Sequence, residues 1–198
     1  MNHAQGILKE VFGSHVKTGN KLPDAGPLFE VFRKNLAEVL ESDAVNKDVV
    51  GFKSIVCYRT GLDIALSNPI EEQEQALLQL FDEFTKTGSL RLQHKSLNDE
   101  VVRITLTIAG NHNKPGNENP EMITDNILIF CCPVQFHTGL GDRDIILRLS
   151  SPSHMQPIIE GFPRTKFVLL HSSYPYTQEA GYLTAMYENV FLDFGEVR

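Results

Sequence analysis

KFVLLHSSYPYTQEAGYLTAMYENVFLDF, residues 166–194, decides the fold. Its opening KFVLLH is a short apolar run suited to a strand buried in a sheet, and it ends on His171. TQEAGYLTAMYE reads as a helix, and NVFLDF, residues 189–194, reads as a second strand with Asp193 near its end. Two strands joined by one helix and links of a few residues imply parallel strands with a right-handed crossover. The pattern repeats upstream. NILIFCCPVQF leads into a strand that Pro133 opens and His137 ends, and SPSHMQPIIEGFP supplies a short helix or helical turn before residue 166. Earlier still, VVGFKSIVCY, residues 49–58, is β-branched and nearly all apolar, as expected of a strand buried on both faces. This alternation fits a doubly wound sheet or part of a (β/α)8 barrel.

The first half is mainly helical. In AGPLFEVFRKNLAEVLES, residues Leu28, Phe29, Phe32, Leu36, Val39 and Leu40 recur at the spacing of one helical face, with Pro27 near the start. A weaker helix covers residues 4–17, with Leu8, Val11 and Phe12 inward. EEQEQALLQLFDEFTKTG is a further helix that stops at Gly88, and Ser96 is placed to cap another running through VVRITLTIAG. Residues 111–120, NHNKPGNENP, are turn formers and read as an exposed loop.

Composition narrows the class. The chain has 198 residues, 41% hydrophobic and 22% charged, with a formal net charge of −7. It reads as a single domain with one sizeable core and a helical lead-in over residues 1–25. An acidic balance without a basic block argues against nucleic acid or an anionic membrane surface as partner. No apolar run reaches the roughly 18 residues of a spanning helix, and the N-terminal residues lack the pattern of a secretory leader. The 3 Cys form no CxxC pair and fall in apolar contexts. Cys57, Cys131 and Cys132 therefore read as reduced core thiols of a cytoplasmic protein.

In either architecture, reactive groups stand at the carboxyl ends of the strands. His137 and His171 end successive strands and lie one strand-loop-helix-loop unit apart, so both reach the same rim. A lone histidine there most often just caps a buried strand. Two at successive strand ends make a metal site or a proton-transfer site an equally good reading. Lys53 lies inside an apolar strand, where burial costs several kcal/mol unless a carboxylate or polar cavity meets it. Arg59, just past that strand, is placed to clamp a substrate carboxylate or to form a surface ion pair. Asp193 caps a following element or pairs with a neighbouring basic group. Asp142 and Asp144 are turn formers within reach of the same rim, and His154 is placed to cover it. No P-loop, GxGxxG or GxSxG is present.

GFKSIVCYRTGLDI, PVQFHTGLGDRDI and FVLLHSSYPYTQEAGYLTAMYENVFLDF together resemble the amidohydrolase-related family of metal-dependent hydrolases. The likeness is in particular to the amidohydrolase domain that precedes a glutamine-synthetase-like domain in fungal and plant proteins, and it covers residues 26–198. The resemblance implies a partial (β/α)8 barrel of the TIM type comprising strands four to seven, with a divalent metal, zinc by preference, at the strand ends. His137 then takes the place of the strand-five metal ligand. His171 takes that of the strand-six histidine, a second ligand or the catalytic base beside the metal-activated water. Lys53 matches the strand-four position, and Lys53 and Arg59 become candidates for binding the substrate, a small molecule with a C–N or related bond. The family's barrel also carries an HxH pair on its first strand and an Asp after its eighth. No HxH occurs here, and the last strand matches the seventh, so the expected site is incomplete. Half a barrel exposes two sheet edges, so the expectation is a homo-oligomer or a missing barrel portion. A non-catalytic remnant acting as a binding module and a metal-dependent decarboxylase remain the alternatives.

Overall fold

The computed structural model describes residues 2–17, 23–112 and 132–195. Cys131, the residues leading into it from 126, and most of the 111–120 stretch lie outside the described residues. The element order is α1 (Asn2–Lys17), α2 (Ala25–Ala44), β1 (Phe52–Ser54), α3 (Ile70–Thr87), α4 (Lys95–His112), β2 (Val134–Phe136), α5 (Gln156–Gly161), β3 (Phe167–Leu169), α6 (Thr177–Met186) and β4 (Val190–Leu192).

The four strands form one sheet in the order β1-β2-β3-β4, every neighbouring pair parallel. Sequential order with helical crossovers is what the alternation of the second half requires. The register aligns Phe52, Val134, Phe167 and Val190 in one row, and Lys53, Gln135, Val168 and Phe191 in the next. Because side chains alternate along a strand, these rows face opposite ways. Val134, Phe136, Phe167, Leu169 and Val190 are buried together with Leu106 and Ala109 of α4, Ile158 and Ile159 of α5, and Ala180 and Leu183 of α6. On the other face Lys53 and Gln135 are exposed, while Val168 and Phe191 are half-buried.

Two expectations need correction here. β1 is not buried on both faces: as an outer strand with one face open, it leaves Lys53 exposed, so no burial cost arises at that residue. The strands are also shorter than the apolar runs. Val56–Tyr58 curls into a 3-10 turn, with Arg59 N–H donating to Val56 O at 2.8 Å, and Val50 before β1 is 82% exposed.

A second core packs α1, α2 and α3 on α4. Phe12 meets Phe81 edge-on at 5.2 Å between ring centroids, with Leu8, Phe29, Phe32, Leu36, Leu77 and Leu80 around them. α3 carries Glu71 and Glu72 in its first turn and ends on left-handed Gly88 (φ 67°), so the sequence reading of its ends holds. α4 starts at Lys95, leaving Ser96 inside its first turn rather than at the cap. That turn is polar and buried. Asp99 is fully buried, accepts from Lys95 Nζ at 2.6 Å, and accepts the Ala65 N–H at 3.1 Å. Asp99→Ala therefore strands a backbone donor of the 62–68 connection, and is expected to lower unfolding stability by about 2–3 kcal/mol in a urea titration. No helix among the described residues is long and apolar enough to cross a membrane.

Candidate metal centre

The carboxyl ends of β1, β2 and β3 bring three aromatic rings together. His137 follows β2 and His171 follows β3, both buried, with His171 Nε2 3.1 Å from His137 Nδ1 and the ring centroids 4.6 Å apart. Tyr58, from the turn after β1, lies on the other side of His137 at 4.5 Å between centroids and an interplanar angle of 45°. Parallel neighbours in register deliver side chains to one level of the rim, so residues 34 positions apart meet.

The backbone that holds His171 is unusual. His171, Ser172 and Ser173 have φ of 63°, 49° and 53°, three consecutive non-glycine residues in the left-handed region. Each such residue costs about 1–3 kcal/mol unless its surroundings fix it. Asp193 supplies much of that fixing. Its Oδ2 accepts the His171 N–H at 3.3 Å and its carbonyl accepts the Ser172 N–H at 2.7 Å, while its own N–H donates to Leu169 O at 2.8 Å. Thr138, next to His137, donates through Oγ1 to Leu170 O at 2.9 Å and pairs with Ser173 Oγ at 2.8 Å. Gly139 then crosses the same turn so closely that a Cβ there would stand 2.2 Å from Ser173 O, at a φ of 63°. The two imidazole-bearing loops are thus built as one unit.

Tyr58 and Arg59 form the near side. Burial pushes the Tyr58 hydroxyl above its ordinary value, opposed by the Asp142 backbone N–H that donates to it; the charges of Asp142 and Asp144 raise it further. Arg59 is half-buried, and its Nε is buried with no acceptor among the described residues. Burial and then Arg91 hold its guanidinium below the ordinary value, while Asp144 acts in the opposite direction. Lys53 aligns with Gln135, two residues before His137, so it stands on the open sheet face below the imidazoles rather than beside them.

The other candidates fall elsewhere. His154 Nε2 lies 2.9 Å from Arg148 O, and His112 pairs with Glu41 at 2.7 Å on the helical side. Cys57 and Cys132 are buried, as the apolar contexts predicted. Burial pushes the Cys57 thiol up to about 12. Cys57 in the folded protein is therefore expected to resist a thiol-specific alkylating reagent at pH 8 and to react once the chain is unfolded, followed by mass spectrometry.

Sequence reasoning missed Tyr58, Thr138 and the fastening role of Asp193. The HTG turn after β2 was visible as a signal, but the partner it would press against was not. Among the described residues, no group of three or more His, Cys, Asp and Glu stands together as a metal-holding set. The two rings are hydrogen-bonded to each other, so an ion would take the place of the shared proton. Two imidazole nitrogens at 2.0–2.1 Å from one tetrahedral ion are separated by about 3.3 Å, close to the 3.1 Å found.

The described strands form a parallel α/β sheet with paired histidines at its carboxyl rim, and known proteins resemble the chain. Residues 131–198 match the family model for Amidohydrolase. The chain is amidohydrolase-related. It is 41% identical over 176 aligned residues to Protein fluG of Emericella nidulans, which takes in 86% of this chain and 18% of that one. It also superposes on the crystal structure of a proposed metal-dependent hydrolase from Lactobacillus casei ATCC 334, with a TM-score of 0.65 and 26% identity over 96% of this chain and 42% of that one. The chain thus spans less than a fifth of the fungal relative and under half of the bacterial hydrolase. These likenesses support a hydrolase-type function and suggest a divalent metal.

Proposed function

We propose that the four strands are strands four to seven of a (β/α)8 barrel, and that His137 and His171 hold a divalent metal, zinc by preference, in a hydrolase acting on a small molecule with a C–N or related bond. The observation that carries this reading is the 3.1 Å separation of two buried imidazole nitrogens at adjacent strand ends. Zinc, when bound at such a rim, makes hydroxide available near neutral pH. The chain's own residues do the rest. Asp193, accepting the His171 and Ser172 N–H groups, and Thr138, donating to Leu170 O, lock the loops that carry both rings. His171, as a ligand through Nε2, would fix where the ion and the water beside it sit. Tyr58 covers one face of His137 and excludes solvent from it. Arg59, whose buried Nε has no acceptor among the described residues, binds a carboxylate of the substrate. Lys53 reaches the substrate from the open sheet face. The buried Cys57 thiol supports a reducing, cytoplasmic setting.

A second reading, a binding module without turnover, draws on the lack of a third donor beside the pair among the described residues. The two separate in one assay. Zinc-loaded protein is incubated with a panel of N-acyl amino acids and amino-substituted carboxylic acids, and released amine and carbon dioxide are measured. The hydrolase reading expects amine release that disappears on chelation and in His171→Ala. Carbon dioxide release in its place identifies a decarboxylase. Bound zinc with neither product leaves the binding module.

A further inference from the structure

We propose that Arg59 and Arg91 form one anion subsite at the carboxyl rim, beside the His137–His171 pair, and that the far end of the substrate carries two negative charges, as two carboxylates or one phosphate. The two arginines stand at opposite ends of a single connection. Residues 55–94 run from the carboxyl end of β1, through α3, to the start of α4, so the chain leaves the rim and returns to it. Asn98, buried in the first turn of α4, closes that connection. Its Nδ2 reaches Thr60 Oγ1 at 3.4 Å and Leu92 O at 3.5 Å. Thr60 follows Arg59 and Leu92 follows Arg91, so one amide ties together the backbone stretches that carry both guanidinium groups. Tyr58 sets Arg59 next to the imidazoles, because its ring centroid lies 4.5 Å from that of His137.

No carboxylate among the described residues pairs with either arginine, and Arg59 Nε is buried without an acceptor there. The acids at the start of α4 are already committed. Asp99 takes Lys95 at 2.6 Å, and Glu100 takes Arg33 at 2.8 Å and Arg103 at 2.5 Å. Arg91 acts on Arg59 as a like charge, and this repulsion exceeds the opposing pull of Asp144, an exposed residue of the loop after β2.

The charge of the occupant follows from this arrangement. Two guanidinium groups within reach of each other repel, and a singly charged group that meets them leaves one positive charge over. A dianion leaves none, and the planar fork of arginine matches the oxygens of carboxylate and phosphate alike. The whole chain carries a net charge of −7, which repels anions in general, so a dianion held at this rim is held by these two side chains. The subsite stands on the arginines themselves; only its use in holding a substrate rests on the hydrolase reading above.

Titration calorimetry of the metal-free 198-residue protein with phosphate, malonate and acetate tests this. It is done at low salt, where charge interactions are least screened, and at mildly alkaline pH, where phosphate is doubly charged. Phosphate or malonate is expected to bind about tenfold tighter than acetate. Arg91 is exposed, so Arg91→Gln is expected to fold, to bring the dianion down to the affinity of acetate and to leave acetate unchanged. Arg164→Gln, at an exposed arginine before β3, is expected to bind all three as the parent does. A preference for phosphate over malonate makes the substrate a phosphate ester, and the reverse makes it a dicarboxylate. His137→Ala is expected to bind the dianion as the parent does, so failure of the metal reading leaves this result standing. Dianions bound no tighter than acetate overturn the proposal. So does an Arg91→Gln protein that matches the parent, an Arg164→Gln protein that loses the dianion, or loss of the dianion in His137→Ala.

Discussion

Gly139→Ala is expected to be the most damaging single-methyl change in the rim. The new Cβ would stand 2.2 Å from Ser173 O and 2.3 Å from both Ser173 C and Tyr174 O, all backbone atoms that no rotamer change can move. The position also has a φ of 63°, where an L side chain costs roughly 1–2 kcal/mol more than glycine. Overpacking against fixed backbone adds about 1–3 kcal/mol, for a total of about 2–5 kcal/mol. In a chain of this size that lowers Tm by about 4–20 °C, measurable by calorimetry. The damage spreads from Gly139 to His171 because Ser173 is the third residue of the left-handed turn that His171 begins. A Gly139→Ala protein with parental Tm would mean that the two loops are not one unit.

The second large effect is expected at the imidazoles. His137→Ala removes one of two ring nitrogens placed 3.1 Å apart, and His171→Ala removes the other. Changes to groups that merely orient a metal ligand typically cost 10–100-fold in affinity. Loss of a ligand is expected to cost at least about 100-fold, or about 2.7 kcal/mol. Zinc retained per chain after dialysis against a graded chelator series reads this out. The double variant is expected to lose little beyond either single one, because both rings serve one ion. Equal zinc retention by the parent and both single variants would leave the histidines as strand caps.

Much of this arrangement was legible in the residues. Apolar runs at 166–171 and 189–194 with a helix between them dictate parallel strands, and parallel strands place their ends at one rim. His137 and His171 followed from that alone. What was not legible depends on neighbours distant in sequence. Lys53 sits among apolar residues, so local pattern pointed to burial on both faces, yet its exposure is decided by the open face of the sheet, where Gln135 of the inner strand β2 is exposed as well. The left-handed conformation of His171–Ser173 has no local signal, since histidine and serine rarely adopt it. It exists because Asp193, 22 positions later, fastens it. The strand ends were overestimated for a related reason. The rim turns that carry the site take Val56–Tyr58 and His171–Ser173 out of the ladder. Buried polar residues at the start of α4 were read only as cap material, because their partners, such as Ala65 N–H, come from a loop 34 residues away.

Zinc K-edge X-ray absorption on the metal-loaded protein tests the central claim most directly. If His137 and His171 hold one ion, the spectrum contains outer-shell imidazole scattering from two rings with Zn–N distances of about 2.0–2.1 Å, and His137→Ala reduces it by one ring. A spectrum without imidazole scattering, or one unchanged by His137→Ala, would contradict the account.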